Sequence, residues 1–424
     1  MKFPALAPLA AGCMLLFLTV GVASAAPKKA AEAADPSSKK DTKFKPPQDD
    51  TVRLQIYLDE QNFGPGKIDG EYGGFTKKSW LRFQEAQGTK MPDEKFDAKK
   101  FTSVDPTYVS YTVTAEDLSA IGPVPTAIPE QAKLKALTYT DMPELIGERY
   151  HVSVTFLKRL NAPQNLDKLK EGDKVRVPNV VPPFNLAQVI ALRQYTKERA
   201  KLIKDAKEKV EKNEPAPSPT PSAETVPTEM PGPTVAVSAA APPAEAVPSP
   251  SPQPAGSPAA KEEAAADATG EPAKSDNKPV LRAGPADSKA LVFHVSTKDS
   301  YLEIRGPEDK LVACFPITPG STAIPTPKGE WKVVAKTLLP EFRWDKSVLM
   351  TGKRSSTAYQ LPPGPNNPVG VTWIALSKPG IGMHGTNSPD TIGRSASHGC
   401  IRLSNWDAFK VFGMVAPGTK VLID

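Results

Sequence analysis

Between Glu214 and Pro285 the chain is written almost entirely in Pro, Ala, Ser and Glu. Proline lacks a backbone N–H, and the other three residues add little apolar surface, so this stretch has nothing with which to close a core. The whole chain carries 47 prolines in 424 residues, and many fall here. One continuous globule is therefore excluded, and the chain must fold as separate pieces on either side of a linker, residues 214–285. As extended polyproline, roughly 70 residues at about 3.1 Å each would span on the order of 200 Å. The expectation is a C-terminal part that is tethered yet free to search a large volume.

The N-terminus reads as an export signal. Lys2 gives a positive end, an apolar run follows from Ala5 to Val22, and Ala23-Ser24-Ala25 offers small residues for cleavage. Cleavage after Ala25 places the mature protein in the periplasm or cell wall; retention of the run as a membrane anchor is the alternative. Cys13 sits too early in the run for lipidation. Residues 26–50 are polar and Ala/Lys-rich, a disordered lead. Two cysteines then remain, Cys314 and Cys400. Export would allow a disulfide between them, but Cys314 lies in the apolar run Leu311–Ile317, which reads as a buried strand. The net charge of +6 suits an anionic wall polymer and equally suits ordinary solubility. Nothing points to nucleic acid.

Two small units are expected before the linker. In residues 51–106, Val52, Leu54 and Leu58 recur at helical spacing, a glycine-rich middle follows, and Thr76, Trp80 and Phe83 form a second helical pattern. Leu54-Gln55, Ile68-Asp69-Gly70 with Gly73, and Phe83-Gln84 give this unit a resemblance to the three-helix peptidoglycan-binding module. Met91 to Pro106 reads as polar and irregular. In residues 107–180, Tyr111-Thr112-Val113 alternates like a strand, helical stretches cover Met142–Tyr150 and Val152–Leu160, and Val175-Arg176-Val177-Pro178 reads as a closing strand. Arg149-Tyr150, Val152-Ser153, Leu160-Asn161 and Gly172 resemble the LysM module, a strand–helix–helix–strand fold that grips glycan. Roughly twenty extra residues interrupt its first half, beyond ordinary loop lengths. His151 reads as a surface or half-buried residue. Residues 185–213 read as a charged spacer helix with one apolar edge.

After the linker, residues 288–424 change to short alternating strands separated by Gly/Pro turns, which indicates a mainly-β sandwich or barrel. One helix is expected after Ser404, whose side chain could cap, with Trp406, Phe409 and Phe412 as its apolar face. Near the end stand His384-Gly385-Thr386 and Ser397-His398-Gly399-Cys400-Ile401-Arg402-Leu403. A cysteine with a histidine upstream supplies a thiol nucleophile and a base. Gly399 leaves room for a carbonyl to approach backbone N–H groups. His384, His398 and Cys400 could instead be zinc ligands, but that is three of the usual four, with no Cys-x-x-Cys pair.

These elements, with Thr326-Pro327-Lys328-Gly329-Glu330-Trp331 ahead of them and Asn405 just after, resemble the L,D-transpeptidases that crosslink peptidoglycan. The resemblance implies Cys400 as nucleophile and His384 as base, with Gly385 orienting the imidazole. It implies an oxyanion hole around His398 and Gly399, and Arg402, Ser397 and Thr386 as substrate contacts. It implies no metal or organic cofactor. Glycan strands and stem peptides are the expected partners, with an outer-membrane lipoprotein as an alternative acceptor. The same thioester chemistry would serve an L,D-carboxypeptidase or a lipoprotein-attaching enzyme, and a non-catalytic wall-binding scaffold is the reading from another class. The whole is a multidomain chain: α-helical and α+β wall-binding modules, a Pro-rich linker and a mainly-β catalytic domain.

Overall fold

A computed structural model describes residues 44–213, 290–351, 354–395 and 397–424. The expected signal, Cys13 and the linker lie outside the described residues, as does the lead up to residue 43. The first helix begins three residues earlier than the sequence pattern suggested: α1 runs Gln48–Glu60 and α2 runs Gly74–Ala86. Val52, Leu54, Ile56 and Leu58 of α1 are buried. Between the helices, Gln55 reaches across to the turn. Its Oε1 accepts from the backbone N–H groups of Asp69 (3.1 Å) and Gly70 (2.9 Å), while its Nε2 donates to Asp69 Oδ1 (2.9 Å). That turn needs a positive φ at Gly70 (74°), which glycine adopts without strain. Residues 91–106 are less polar in their packing than their composition suggested. Phe101 and Val104, on or beside two single-turn 3₁₀ helices, are buried against the same core.

Next, β1 (Tyr108–Thr112) pairs antiparallel with β2 (Lys174–Pro178). Between them lie α3 (Ala115–Ser119), α4 (Ile128–Gln131), α5 (Met142–Arg149) and α6 (Val154–Leu160). Asp141 and Ser153 cap the last two by accepting backbone N–H groups of Glu144 (2.8 Å) and Phe156 (3.5 Å). A long helix, α7 (Leu186–Asn213), follows. It is more than a spacer, because Val189 on its first turns is buried in the core of the C-terminal domain.

After the linker come β3 (Val292–Ser296), β4 (Tyr301–Arg305), β5 (Leu311–Pro316) and β6 (Gly329–Leu338). The hairpin strands β7 (Phe342–Trp344) and β8 (Tyr359–Leu361) flank α8 (Lys346–Thr351). Then β9 (Thr372–Leu376), β10 (Gly382–His384), β11 (Ile401–Arg402), α9 (Asn405–Met414) and β12 (Lys420–Ile423) complete the chain. Eight strands form one mixed sheet in the order β11-β10-β9-β6-β12-β3-β4-β5, parallel only at β12/β3 and β10/β11. Ser404 caps α9 as its sequence predicted, accepting from Asp407 N at 3.2 Å. Trp406, Ala408, Val411 and Phe412 of that helix are buried. Among the described residues, no helix is long and apolar enough to cross a membrane.

The expectation of a freely roaming C-terminal domain does not hold for the described residues, since Lys45–Asp424 cluster as one compact unit. An exposed edge strand invites unwanted pairing, and here the N-terminal unit covers it. β5 is an edge of the sheet, and Cys314 in it donates its N–H to Asn62 O (3.0 Å) and accepts from Gly64 N (2.8 Å). Tyr301, Leu311 and Cys314 belong to the same buried cluster as Phe63, Leu58 and Phe83. The Tyr301 hydroxyl donates to Phe75 O at 2.9 Å, and Arg82 pairs with Glu303 at 2.8 Å. The insert of the second unit also docks. Leu137 N donates to Pro363 O (2.9 Å), and Leu137 O accepts from Asn366 N (3.1 Å).

His151, expected near the surface, is instead buried at the junction of all three parts. Its ring stacks on Trp406 (5.0 Å between centroids), and its Nδ1 lies 2.9 Å from Asp59 Oδ2. Lys410 of α9 pairs with the other oxygen of Asp59 at 2.9 Å. Burial favours the neutral acid, but His151 and Lys410 outweigh it and hold the Asp59 carboxyl well below the usual range.

Cys314 and Cys400 are both free, and Cys314 is fully buried. Removing the N-terminal unit should uncover Cys314. We expect its thiol to be silent to an aromatic disulfide reagent in the folded full chain and reactive in a 288–424 fragment. Equal reactivity in both would mean that the edge of β5 is not covered. Phe63→Ala should cost the full chain about 3–5 kcal/mol of stability in denaturant titration.

Candidate active site

The two motif segments meet because β10 and β11 are parallel neighbours, with His384 opposite Arg402 and Met383 opposite Ile401. Side chains alternate across a sheet and register partners share a face. Met383 and Ile401 therefore point into the core, where both are fully buried. His384 and Arg402 share the other face, and Cys400, just ahead of β11, falls beside Gly382, whose N–H interacts with its sulfur.

His384 is buried. Its Nδ1 lies 2.6 Å from Gly385 O. A carbonyl only accepts, so Nδ1 carries the proton and Nε2 keeps its lone pair. The indole of Trp373 stacks on the imidazole at 5.4 Å. Burial pushes the His384 pKa down to about 4, aided by the Arg402 charge and opposed by the Gly385 carbonyl. Burial also pushes the Cys400 thiol up, with the Gly382 N–H and Arg402 pulling the other way. Cys400 is half-buried, and its Sγ donates to Gly380 O at 3.6 Å. The resting pair is thus neutral thiol and neutral imidazole. Arg402 is half-buried, and its guanidinium has no ion-pair or hydrogen-bond partner among the described residues.

Turn residues 318–326 pin the nucleophile loop from outside. Thr318 and Arg402 exchange backbone hydrogen bonds (2.9 and 3.0 Å), and Ser397 N donates to Pro319 O at 2.9 Å. Gly320 N donates to Thr326 Oγ1 at 2.7 Å, which gives the Thr-Pro-Lys-Gly element a structural task. A Cβ at Gly320 would come within 2.4 Å of Ile324 O. The Ser397 hydroxyl donates to Cys400 O and accepts from Gly399 N at 3.2 Å. Gly399 N–H is therefore committed to Ser397, and this glycine serves the loop through its φ of 99° instead. His398 is exposed. Thr386 is buried, and its hydroxyl accepts from Ser388 N at 3.2 Å. Among the described residues, no group of three or more His, Cys, Asp or Glu could hold a metal ion.

The loop between base and nucleophile rests on the first N-terminal unit. Phe75 lies against Gly393, where an added Cβ would meet its ring at 2.0 Å, and Lys67 pairs with Asp390. Neither contact was legible in the sequence. Asn405, noted there only for its position, has its side chain fully buried against Gly385 and Thr386.

Residues 290–423 match the family model YkuD, described as an L,D-transpeptidase catalytic domain. The C-terminal domain is a YkuD-family L,D-transpeptidase domain. Relatives of this domain include L,D-transpeptidase-named proteins. YkuD of Bacillus licheniformis is 34% identical over 115 residues, covering 27% of this chain and 54% of the relative. ErfK/SrfK of Escherichia coli is 35% identical over 140 residues, covering 32% of this chain and 44% of the relative. The chain thus spans about half the length of the curated relatives it matches. Among solved structures, an L,D-transpeptidase from Mycobacterium smegmatis aligns with 19% identity and a TM-score of 0.27, covering 32% of this chain and 58% of that one.

A neutral thiol–imidazole pair has a pH signature. Alkylation of Cys400 by iodoacetamide should accelerate steadily from pH 6 to 9, because a raised thiol pKa leaves little thiolate at neutrality. A rate already flat between pH 6 and 8 would mean a preformed thiolate–imidazolium pair. Gly370 has φ 60°, and a Cβ there would come within 2.0 Å of Asn405 Oδ1. Gly370→Ala should therefore lower turnover about ten- to a hundredfold in a standard product assay, as small displacements near reacting groups do.

Proposed function

We propose that this protein is an exported peptidoglycan L,D-transpeptidase that forms 3→3 crosslinks through a cysteine thioester. The supporting observation is that His384, protonated on Nδ1, sits one strand from Cys400 on the same sheet face, with its Nε2 lone pair available. Cys400 Sγ gives its proton to His384 Nε2 and attacks the carbonyl between the third and fourth residues of a tetrapeptide stem. The carbonyl oxygen becomes an oxyanion, held by the Cys400 backbone N–H, since that of Gly399 is engaged with Ser397. The C–N bond breaks, and the imidazolium returns its proton to the departing D-Ala amine. A side-chain amine of a neighbouring stem then attacks the thioester and gives up a proton to His384; the C–S bond breaks as the new amide forms, and His384 passes that proton to the departing sulfur of Cys400.

Arg402 has no ion-pair or hydrogen-bond partner for its guanidinium among the described residues, and it holds a stem carboxylate, for which a guanidinium is shaped. Ser397 and Thr386 shape the loops on either side of the thiol, and His398 stands exposed at the rim. Residues 51–106 and 107–180 bind wall glycan, and their docking onto the catalytic domain presents it to nearby stems.

Purified full chain incubated with disaccharide tetrapeptides should give dimers lighter than two monomers by one D-Ala, read by mass spectrometry. Cys400→Ala should give none, and dimers from that variant would refute the proposal. Wild-type release of D-Ala without dimers would instead identify water as the acceptor, and attachment to a lipoprotein lysine would identify a protein acceptor. Arg402→Leu should raise KM for the stem about tenfold or more, the scale expected for losing a charge-assisted hydrogen bond.

A further inference from the structure

One peptide unit orients the proposed base. The Gly385–Thr386 peptide accepts from His384 Nδ1 through its C=O (2.6 Å) and donates through its N–H to Asn405 Oδ1 (3.2 Å). The same Asn405 oxygen accepts from Val371 N at 3.1 Å. A side-chain amide can sit either way round, and its neighbours decide which. Here the opposite end, Nδ2, donates to Glu148 Oε2 (2.8 Å) and to Pro365 O (3.3 Å), both acceptors. Burial raises the Glu148 pKa to about 8, so this carboxyl group is largely neutral near pH 7 and offers Oε2 as an acceptor. Reversal would set the Asn405 oxygen against the Pro365 carbonyl and its NH₂ against two N–H groups.

We propose that Glu148, supplied by the 107–180 unit, is a positioning residue of the active site. It fixes Asn405, and through Asn405 the peptide that holds the His384 imidazole. Glu148 is itself held by the Tyr139 hydroxyl, which donates to Oε1 at 2.8 Å. Glu148, Asn405 and Tyr139 are all buried, so water cannot replace a lost partner cheaply. Space is as restricted as polarity: a Cβ on Gly370 or Gly385 would come within 2.0 or 2.2 Å of Asn405 Oδ1. A unit read as an adhesive module thus completes the catalytic domain. The inference rests on the assignment of Cys400 and His384 given above.

The test uses the full chain and separates kcat from KM with the tetrapeptide substrate. Glu148→Leu should lower kcat about ten- to a hundredfold while KM stays within about twofold, because positioning is lost and stem contacts are not. Glu148→Gln, which can still present an oxygen to Asn405, should restore kcat to within a few-fold of wild type. Arg343→Met breaks the Arg343–Asp345 pair beside the β7–β8 hairpin, which makes none of the Asn405 contacts, and should lower the melting temperature with kcat unchanged. Glu148→Asp keeps the carboxyl group but withdraws it by one methylene, so it carries the test if Glu148→Leu does not fold; its kcat should fall severalfold. Wild-type kcat in folded Glu148→Leu or Glu148→Asp overturns the inference, as does an equal loss of kcat in Arg343→Met. Cys400→Ala is run beside them: activity in that variant sinks the nucleophile assignment itself, which a normal Glu148 variant would leave standing.

Discussion

The buried amide of Asn405 is the interaction on which the site depends. Its oxygen gathers the N–H groups of Val371 and Thr386, and its nitrogen reaches Glu148 and Pro365. Three separate stretches of chain are thereby held around one side chain with no exposed surface. Each of these groups would be costly to bury alone, and each is satisfied only when the others are in place. Two glycines, Gly370 and Gly385, make the slot, and neither tolerates a Cβ beside that oxygen. The active-site backbone is thus fixed by polar complementarity as much as by apolar packing.

Electrostatics reinforce this view. The site lowers the basicity of His384 and raises the thiol, both chiefly by burial, so neither partner is charged at rest. The Arg402 charge close by acts against the imidazolium while favouring the thiolate. A carboxylate seated on Arg402 would relieve the penalty on a protonated His384.

Much of the domain was legible because its signals are local. Alternation in Val292–Ser296, the turn at Thr326–Gly329 and the Ser404 cap are each written within a few residues. Motif spacing brought His384 and Cys400 to notice together, and the sheet sets the strands that carry or adjoin them, β10 and β11, side by side. Glu148 was not legible. Its partner lies 257 positions away, and within its own helix a glutamate looks like any solvated charge. His151 misled for the same reason, since its stacking partner Trp406 belongs to another part of the chain. The Pro-rich stretch also invited an inference of independence, yet a linker limits how far two pieces can separate and says nothing about whether their surfaces fit.

Phe75 fills the space beneath Gly393 so fully that no methyl group could be inserted there. The strand-to-strand loop between base and nucleophile is therefore geared to helix α2: it cannot drop toward the core without pushing that helix aside. A force applied to α2 would therefore reach the loop between His384 and Cys400 through a single aromatic ring.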